Sequence, residues 1–249
     1  MLSILIPARN DAAALRRTLD RLESPNLRHN VEVVVAASGD RDNTISAVRD
    51  RARLMWPDGS TRAELMNAAA TVARGDVLLF LHADSIPPPN ASELISAVLA
   101  DKRVVGGAFE HRFIERDWRL FVISAIDRVR YRMTHNYYGD QGIFVRADVF
   151  HRLGGYRGLA LMEDLDFSQR LKRTGATRLI RVPVDSSGRR FLDRGPWRTL
   201  CHCGWLLTLW TLGCNTERYA ERWCGPADQA PGSAWRQTPG AGWKAARRF

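Results

Sequence analysis

A chain of 249 residues can bury a sizeable core, and 45% hydrophobic against 26% charged residues excludes wholesale disorder. Lysine and arginine outnumber aspartate and glutamate by 37 to 27, a formal charge of +10, which suits a polyanionic partner: a diphosphate, a nucleic acid or an acidic membrane surface. No aromatic-plus-basic RNA signature and no known DNA-binding motif occurs, which removes nucleic acid from that set.

Met1 to Pro7 lacks the basic start and small-residue cleavage site of a signal peptide, suggests no export, and predicts a buried strand over Leu2 to Ile6. Leu15, Leu19 and Leu22 then share one helical face, with Asn10 or Asp11 as cap. Val31 to Val35 is a second β-branched run, followed by turn residues from Ser38 to Asn43 and a helix expected from near Thr44. Thr61-Arg62-Ala63-Glu64 has capping-box form and opens the next helix, and Val77 to Leu81 is a continuous apolar strand ending directly at His82 to Asp84. Asn90-Ala91-Ser92-Glu93 is a second capping box, before a helix through Leu94, Ala97 and Val98.

From Trp118 the positions Phe121, Val122, Ala125, Ile126, Val129 and Met133 keep helical spacing, and predict a helix bridging the two halves of the chain. Strand character returns over Gly139 to Val145, and a short helix over Asp148 to Leu153 closes at Gly154-Gly155. A longer helix runs from about Met162 to Thr174, and a strand ends near Val184. Alternation of this kind predicts an α/β fold: a Rossmann-like, mostly parallel mixed sheet with helices on both faces, with ligands beyond the carboxyl ends of its strands. The domain reading is one α/β domain over 1–195, a helical appendage over 196–225, uncharged from Thr199 to Thr216, and a flexible basic tail over 226–249.

His82-Ala83-Asp84 places two potential ligands on the same side of an extended strand end, facing one ion that bridges a diphosphate; Asp84 is the stronger ligand for a hard cation. A plain turn at Ser85-Ile86-Pro87 fits the same spacing. Glu163-Asp164-Leu165-Asp166 sets carboxylates at a helix start, where Asp164 could accept a hydroxyl proton; ordinary helix-start acidity is the alternative. Gly139, Asp140 and Gln141 offer close backbone approach beside a carboxylate and an amide, suited to a polyhydroxyl acceptor or to a simple turn. Arg62 is expected to reach a phosphate, Asn67 a ribose or sugar hydroxyl, and Arg189 and Arg190 a departing diphosphate, with solvated surface positions open for all four.

Cys201, Cys203, Cys214 and Cys224 all lie in the last quarter, which leaves the catalytic-looking region without a candidate disulfide and points to a reducing cytoplasm. They lack the paired two-residue gaps of a zinc site and are expected as small buried residues on a helix. The uncharged stretch is barely long enough to cross a bilayer; Trp205 and Trp210 suit contact at the inner membrane face better, and pairing of subunits into a homodimer stays open.

Ser3 to Asn10, Arg62 to Asn67, Leu81 to Asp84, Gly139 to Gln141 and Met162 to Asp164, in this order and spacing, resemble family 2 glycosyltransferases over about residues 1 to 215. More narrowly, the chain is similar to the bacterial subgroup found beside radical-SAM and selenium-domain proteins, sometimes labelled arsenosugar-biosynthesis glycosyltransferases. The resemblance implies a GT-A fold. Pro7, Ala8, Arg9 and Asn10 would line the base pocket, and His82-Ala83-Asp84 would take the place of the Asp-x-Asp motif. It implies manganese or magnesium on Asp84, with His82 as a weaker second ligand, Asp164 as the base of inverting transfer, and Glu163 orienting the acceptor or the base. The donor would be a nucleoside-diphosphate sugar, a UDP-sugar first, and the acceptor a small molecule or a lipid-linked hydroxyl. Two positions depart from the family. Ala36-Ala37-Ser38-Gly39-Asp40 stands where an aspartate usually contacts the base or ribose, with Asp40 or Asp42 as substitutes from a shifted turn. His82 replaces the first metal-motif aspartate, lowering the negative charge that faces the ion. The rival readings are a nucleotidyltransferase acting on a sugar phosphate and a non-catalytic nucleotide-sugar-binding protein.

Overall fold

The first strand, β1 (Leu2–Arg9), shows how alternation builds two cores from one sheet. Leu2, Ile4, Ile6 and Ala8 join Leu15, Leu19 and Leu22 of α1 (Ala12–Leu22) on one face. Leu5 joins Ala63, Met66 and Ala70 of α3 (Arg62–Val72) on the other. With both faces covered, these strands read as continuous apolar runs. The computed structural model describes residues 1–23, 30–59, 61–220 and 223, without the side chains of Asp42 and Glu217; the expected tail over 226–249 and Cys224 lie outside the described residues.

Eight strands form one mixed sheet in the order β3-β2-β1-β4-β7-β6-β8-β5. They are β1, β2 (Val31–Ser38), β3 (Arg53–Met55), β4 (Val77–Phe80), β5 (Ser85–Ile86), β6 (Val104–Phe113), β7 (Ile143–Arg146) and β8 (Ala176–Ser186). Four pairings are parallel and three antiparallel, β7 being the strand reversed against both β4 and β6. The remaining helices are α2 (Arg41–Val48), α4 (Ala91–Leu99), α5 (Trp118–Thr134), α6 (Ala147–Arg152), α7 (Glu163–Leu171), α8 (Arg189–Arg194) and α9 (Pro196–Thr211). The expected α/β architecture with helices on both faces is present.

Several local expectations need correction. Helix α2 starts at Arg41 rather than near Thr44, because the Asp40 carboxylate caps it by accepting from the Asn43 N–H at 3.2 Å. The Thr61–Glu64 capping box forms, with reciprocal bonds of 3.2 and 2.9 Å, whereas Asn90 makes no side-chain cap. Gly139–Gln141 is a short 3-10 turn leading into β7 rather than part of the strand. Cys201 and Cys214 are exposed rather than buried. The long β6 has no counterpart in the sequence reading. Its Gly106-Gly107 pair weakens the strand signal, yet a side chain at either glycine would meet the backbone of Phe144 or Arg178 in the flanking strands.

Helix α5 forms where its spacing predicts. Its apolar stripe faces outward: Phe121 is 68% exposed and Met133 80%, while the helix buries Leu120, Ile123 and Ser124.

Candidate active site

Strand direction gathers the motifs at one edge. Parallel β1, β2 and β4 end there at Arg9, Ser38 and Phe80. Strand β7 runs against β4 with Ile143 opposite Phe80, so the Gly139–Gln141 turn entering β7 lies beside the His82 to Asp84 segment leaving β4. Strands β6 and β8 run with β4 and bring His111 and Ser186 to the same edge. Ser186 pairs with Ser85, next to Asp84.

Asp164 sits buried in the first turn of α7, and its two oxygens have different fates. Oδ2 accepts from the Gly139 N–H at 3.1 Å; Oδ1 is buried and has no hydrogen-bond partner. Arg62, at the start of α3, donates to Glu163 Oε1 at 3.2 Å and stands 3.8 Å from Asp164 Oδ2. Burial, then the Glu163 charge, pushes the Asp164 carboxyl up to about 8 against the opposing pull of Arg62. Asp166, one turn face away, is tied by Arg157 at 3.0 Å and Arg170 at 2.7 Å, which makes it a structural anchor. A side chain at Gly139 would collide with both Asp164 Oδ2 and His82 Nε2, so glycine is what lets these two groups approach one point.

His82 Nε2 is likewise buried without a hydrogen-bond partner. Burial first, then the positive charges of Arg62 and Arg190, hold the imidazole well below its usual value, so it is neutral at pH 7. Asp84 is shifted the other way: burial and then the Asp11 charge raise it, while Arg62 and Arg190 oppose. Asp11, expected only as a helix cap, accepts from Ala14 N–H at 3.3 Å and also pairs with Arg189 at 3.4 Å. The strand-end residues, the acidic pair and the arginines thus share one electrostatic environment.

The remaining expected residues divide into two groups. Pro7, Ala8, Arg9 and Asn10 do sit at the carboxyl end of β1, where Asn10, at φ 52°, accepts from the Asp40 N–H at 2.8 Å and ties the ends of β1 and β2 together. Ala36 and Ala37 are wholly buried in the sheet, and the Asp40 carboxylate is occupied by Asn43; Ser38, whose Oγ is buried and unpartnered, is the polar group at that strand end. Asn67 spends its amide on the chain itself, donating to Tyr156 O at 2.8 Å and accepting from Tyr156 N–H at 2.9 Å. Gln141 does the same, accepting from Tyr138 N–H at 2.9 Å and donating to Phe109 O at 3.3 Å. The structure makes both of these amides braces of site loops. Asp140 remains partly open, 3.8 Å from His111 Nε2, and Arg190 lies over the Trp223 ring.

Three site residues escaped the sequence reading. His111 is buried with Nε2 2.6 Å from Ser186 Oγ, and neither could be found without β6 and the register of β8. Tyr156 is fully enclosed beneath Asp164 and Glu163, its hydroxyl unpartnered and its ionisation suppressed by burial and then by the Asp164 charge. The Gly154-Gly155 stop signal before it, with both glycines at positive φ, was the trace available in the sequence.

Residues 3–159 match the family described as glycosyl transferase family 2. Comparison with curated proteins returns no match. Among solved structures, the fold is similar to the mannosyltransferase PcManGT from Pyrobaculum calidifontis in complex with GDP-Man and Mn2+, with TM-score 0.57, 22% identity, and coverage of 75% of this chain and 56% of that one. It is also similar to S. aureus TarS 1-349 in complex with UDP-GlcNAc, with TM-score 0.59, 14% identity, and coverage of 75% and 58%. The chain spans little more than half the length of either, and at these identities the likeness is one of fold, the GT-A arrangement. With the family match covering more than half of its residues and the family's motifs gathered at one sheet edge, the chain belongs to glycosyl transferase family 2.

Proposed function

We propose that this protein is a cation-dependent, inverting glycosyltransferase that moves a sugar from a nucleoside-diphosphate sugar, a UDP-sugar first, to a hydroxyl of a small-molecule or lipid-linked acceptor. The observation that carries the reading is Asp164: one oxygen is fixed by the Gly139 N–H while the other is buried and unsatisfied, as required of a base that waits for a substrate proton. Asp164 Oδ1 takes the proton of the acceptor hydroxyl as its oxygen attacks the anomeric carbon, and the bond to the diphosphate breaks with its electron pair on the leaving oxygen. Glu163 and Arg62 orient that base, and Arg189 and Arg190, at the same edge, face the negative charge that develops on the leaving group.

Asp84 would be the protein's carboxylate ligand to one divalent cation. Asp84 is a carboxylate whose charged form is penalised by burial and by Asp11, a condition that a bound cation reverses. Among the described residues no group of three or more His, Cys, Asp or Glu could hold a metal, so Asp84 would hold it together with diphosphate oxygens and water. Bound there, the ion would neutralise the departing diphosphate. His82 Nε2 lies toward Gly139 and Asp164, which suits His82 to a weaker ligand role, or to a hydrogen bond with the sugar. The complexes of the structural neighbours with GDP-Man and Mn2+ and with UDP-GlcNAc support this donor class. We assign the chain to the radical-SAM and selenium-domain-associated subgroup on its motifs, divide it into a transferase domain over 1–195 with a helical appendage, and place it in the cytoplasm.

A screen of nucleoside-diphosphate sugars with manganese, read by release of nucleoside diphosphate, tests the reading. Release of pyrophosphate from a nucleoside triphosphate and a sugar phosphate would replace it with nucleotidyl transfer, and absence of donor binding by calorimetry would remove catalysis on these donors altogether.

A further inference from the structure

Away from the sheet edge, α5 presents an apolar stripe to solvent. Trp118, Phe121, Ile126, Val129 and Met133 are all exposed, and successive members lie three to five residues apart, so they share one side of the helix. Trp197, at the start of α9, is exposed as well and sets its ring 5.9 Å from that of Trp118, which extends the stripe onto a second helix. A monomer in water rarely keeps so long an apolar row uncovered.

The charges around the stripe say what covers it. Each carboxylate in this stretch is already satisfied inside the protein. Glu115 accepts from Ser187 Oγ at 2.8 Å and Gly188 N–H at 2.6 Å, Asp117 pairs with Arg119 at 2.7 Å, and Asp127 pairs with Arg130 at 2.8 Å. Arg116, Arg128 and Arg132 are exposed and have no carboxylate partner among the described residues. An apolar row bearing two tryptophans, flanked by unpaired arginines, on a chain of net charge +10, is complementary to an anionic lipid surface: the rings enter the boundary of the acyl region and the guanidinium groups meet the headgroups.

We propose that the α5 face, with Trp197, docks this protein peripherally on an anionic bilayer. The 17-residue helix would lie in the plane of the interface, and no described helix is long and apolar enough to cross a membrane. The proposed face is α5 with Trp197; in the uncharged stretch 199–216, α9 buries Thr199 and Leu206, while Trp205 and Leu212 are exposed. This inference is independent of the transfer reading, since it needs neither donor, cation nor acceptor.

Co-sedimentation of the full chain with large vesicles of phosphatidylcholine, with and without phosphatidylglycerol, tests it. The wild type is expected to pellet with the phosphatidylglycerol vesicles and weakly with phosphatidylcholine alone. Phe121→Asp and Met133→Asp should each weaken binding by at least about tenfold, Arg128→Glu with Arg132→Glu should do likewise, and Ile45→Asp, at an exposed position on α2, should leave it unchanged. Unchanged circular dichroism and thermal midpoint show that the variants fold; a milder Phe121→Ser replaces any that does not. Equal binding by wild type and Phe121→Asp would overturn the proposal, as would no binding to either vesicle. So would a lipid-free dimer of wild type that Phe121→Asp converts to monomer by sedimentation velocity, which would assign the face to a second copy.

Discussion

Replacing Asp164 by asparagine should make the protein more stable and nearly inactive, with the gain in stability growing as the pH rises. In the unfolded chain the carboxyl titrates near 4, whereas in the fold burial and Glu163 push it up to about 8. Between those values the folded protein holds a proton that the unfolded chain has released, so wild-type stability falls as pH rises through this window and levels off above about 8. Linkage sets a ceiling of about 1.4 kcal/mol for each pH unit in the window. Solvent reaching the side chain and the Arg62 charge reduce it, and an increment of about 2 kcal/mol between pH 5 and pH 8 is expected. Asparagine has no proton to lose, so its thermal midpoint should pull ahead of wild type by about 4–8 °C across that range, with little difference near pH 4. Melting curves at matched ionic strength measure this directly. In parallel, wild-type kcat/KM should climb about tenfold per pH unit until near pH 8, and the variant should lose about 10²–10⁴-fold in transfer while retaining donor affinity. Stability curves that run parallel would refute the charge penalty, and an asparagine variant that turns over normally would refute the assignment of the base.

Three further substitutions separate the roles at the sheet edge. Asp84→Ala should lower manganese-dependent donor affinity by at least about tenfold in calorimetry while leaving metal-free binding unchanged, because it removes the carboxylate to which the ion would bind. Gly139→Ala drives a methyl into Asp164 and His82; we expect kcat to fall by about tenfold or more with donor KM preserved, and a stability loss of about 1–3 kcal/mol by denaturant titration. Asn67→Ala removes both braces on Tyr156 and should cost about 1–3 kcal/mol of stability. If instead it weakened donor binding with an unchanged melting point, Asn67 would be a ligand contact rather than a brace.

Much of the fold was legible because local signals agreed with tertiary context. The continuous apolar runs of β1 and β4 and the Thr61 capping box specify their elements without help from distant residues. Where the sequence reading failed, non-local packing had overridden local pattern. Glycine is a poor strand former, yet Gly106 and Gly107 are required because β6 lies between two close strands. On α5 the helical period was legible and its orientation was not: periodicity reports that one face differs from the other, and cannot say which of them faces the core. Asn67 and Gln141 were legible as polar groups near a site, but only the positions of Tyr156 and Phe109 decide that their amides hold loops.

The acidic helix start shows the limit most sharply. Asp164 and Asp166 stand two residues apart in the same turn, with the same dipole and the same side chain, so no local principle distinguishes them. What separates them is countercharge arriving from elsewhere in the chain. Arg157 and Arg170 satisfy both oxygens of Asp166, and its negative charge is spent on holding α7 to the preceding loop. Asp164 receives one backbone N–H from the Gly139 turn, and Arg62 stays 3.8 Å from that same oxygen while bonding to Glu163. A carboxyl group that is buried, under-neutralised and half-satisfied holds its proton up to about pH 8, and ionising it costs the fold stability. Within the acidic run, what sets Asp164 apart is incomplete pairing rather than acidity.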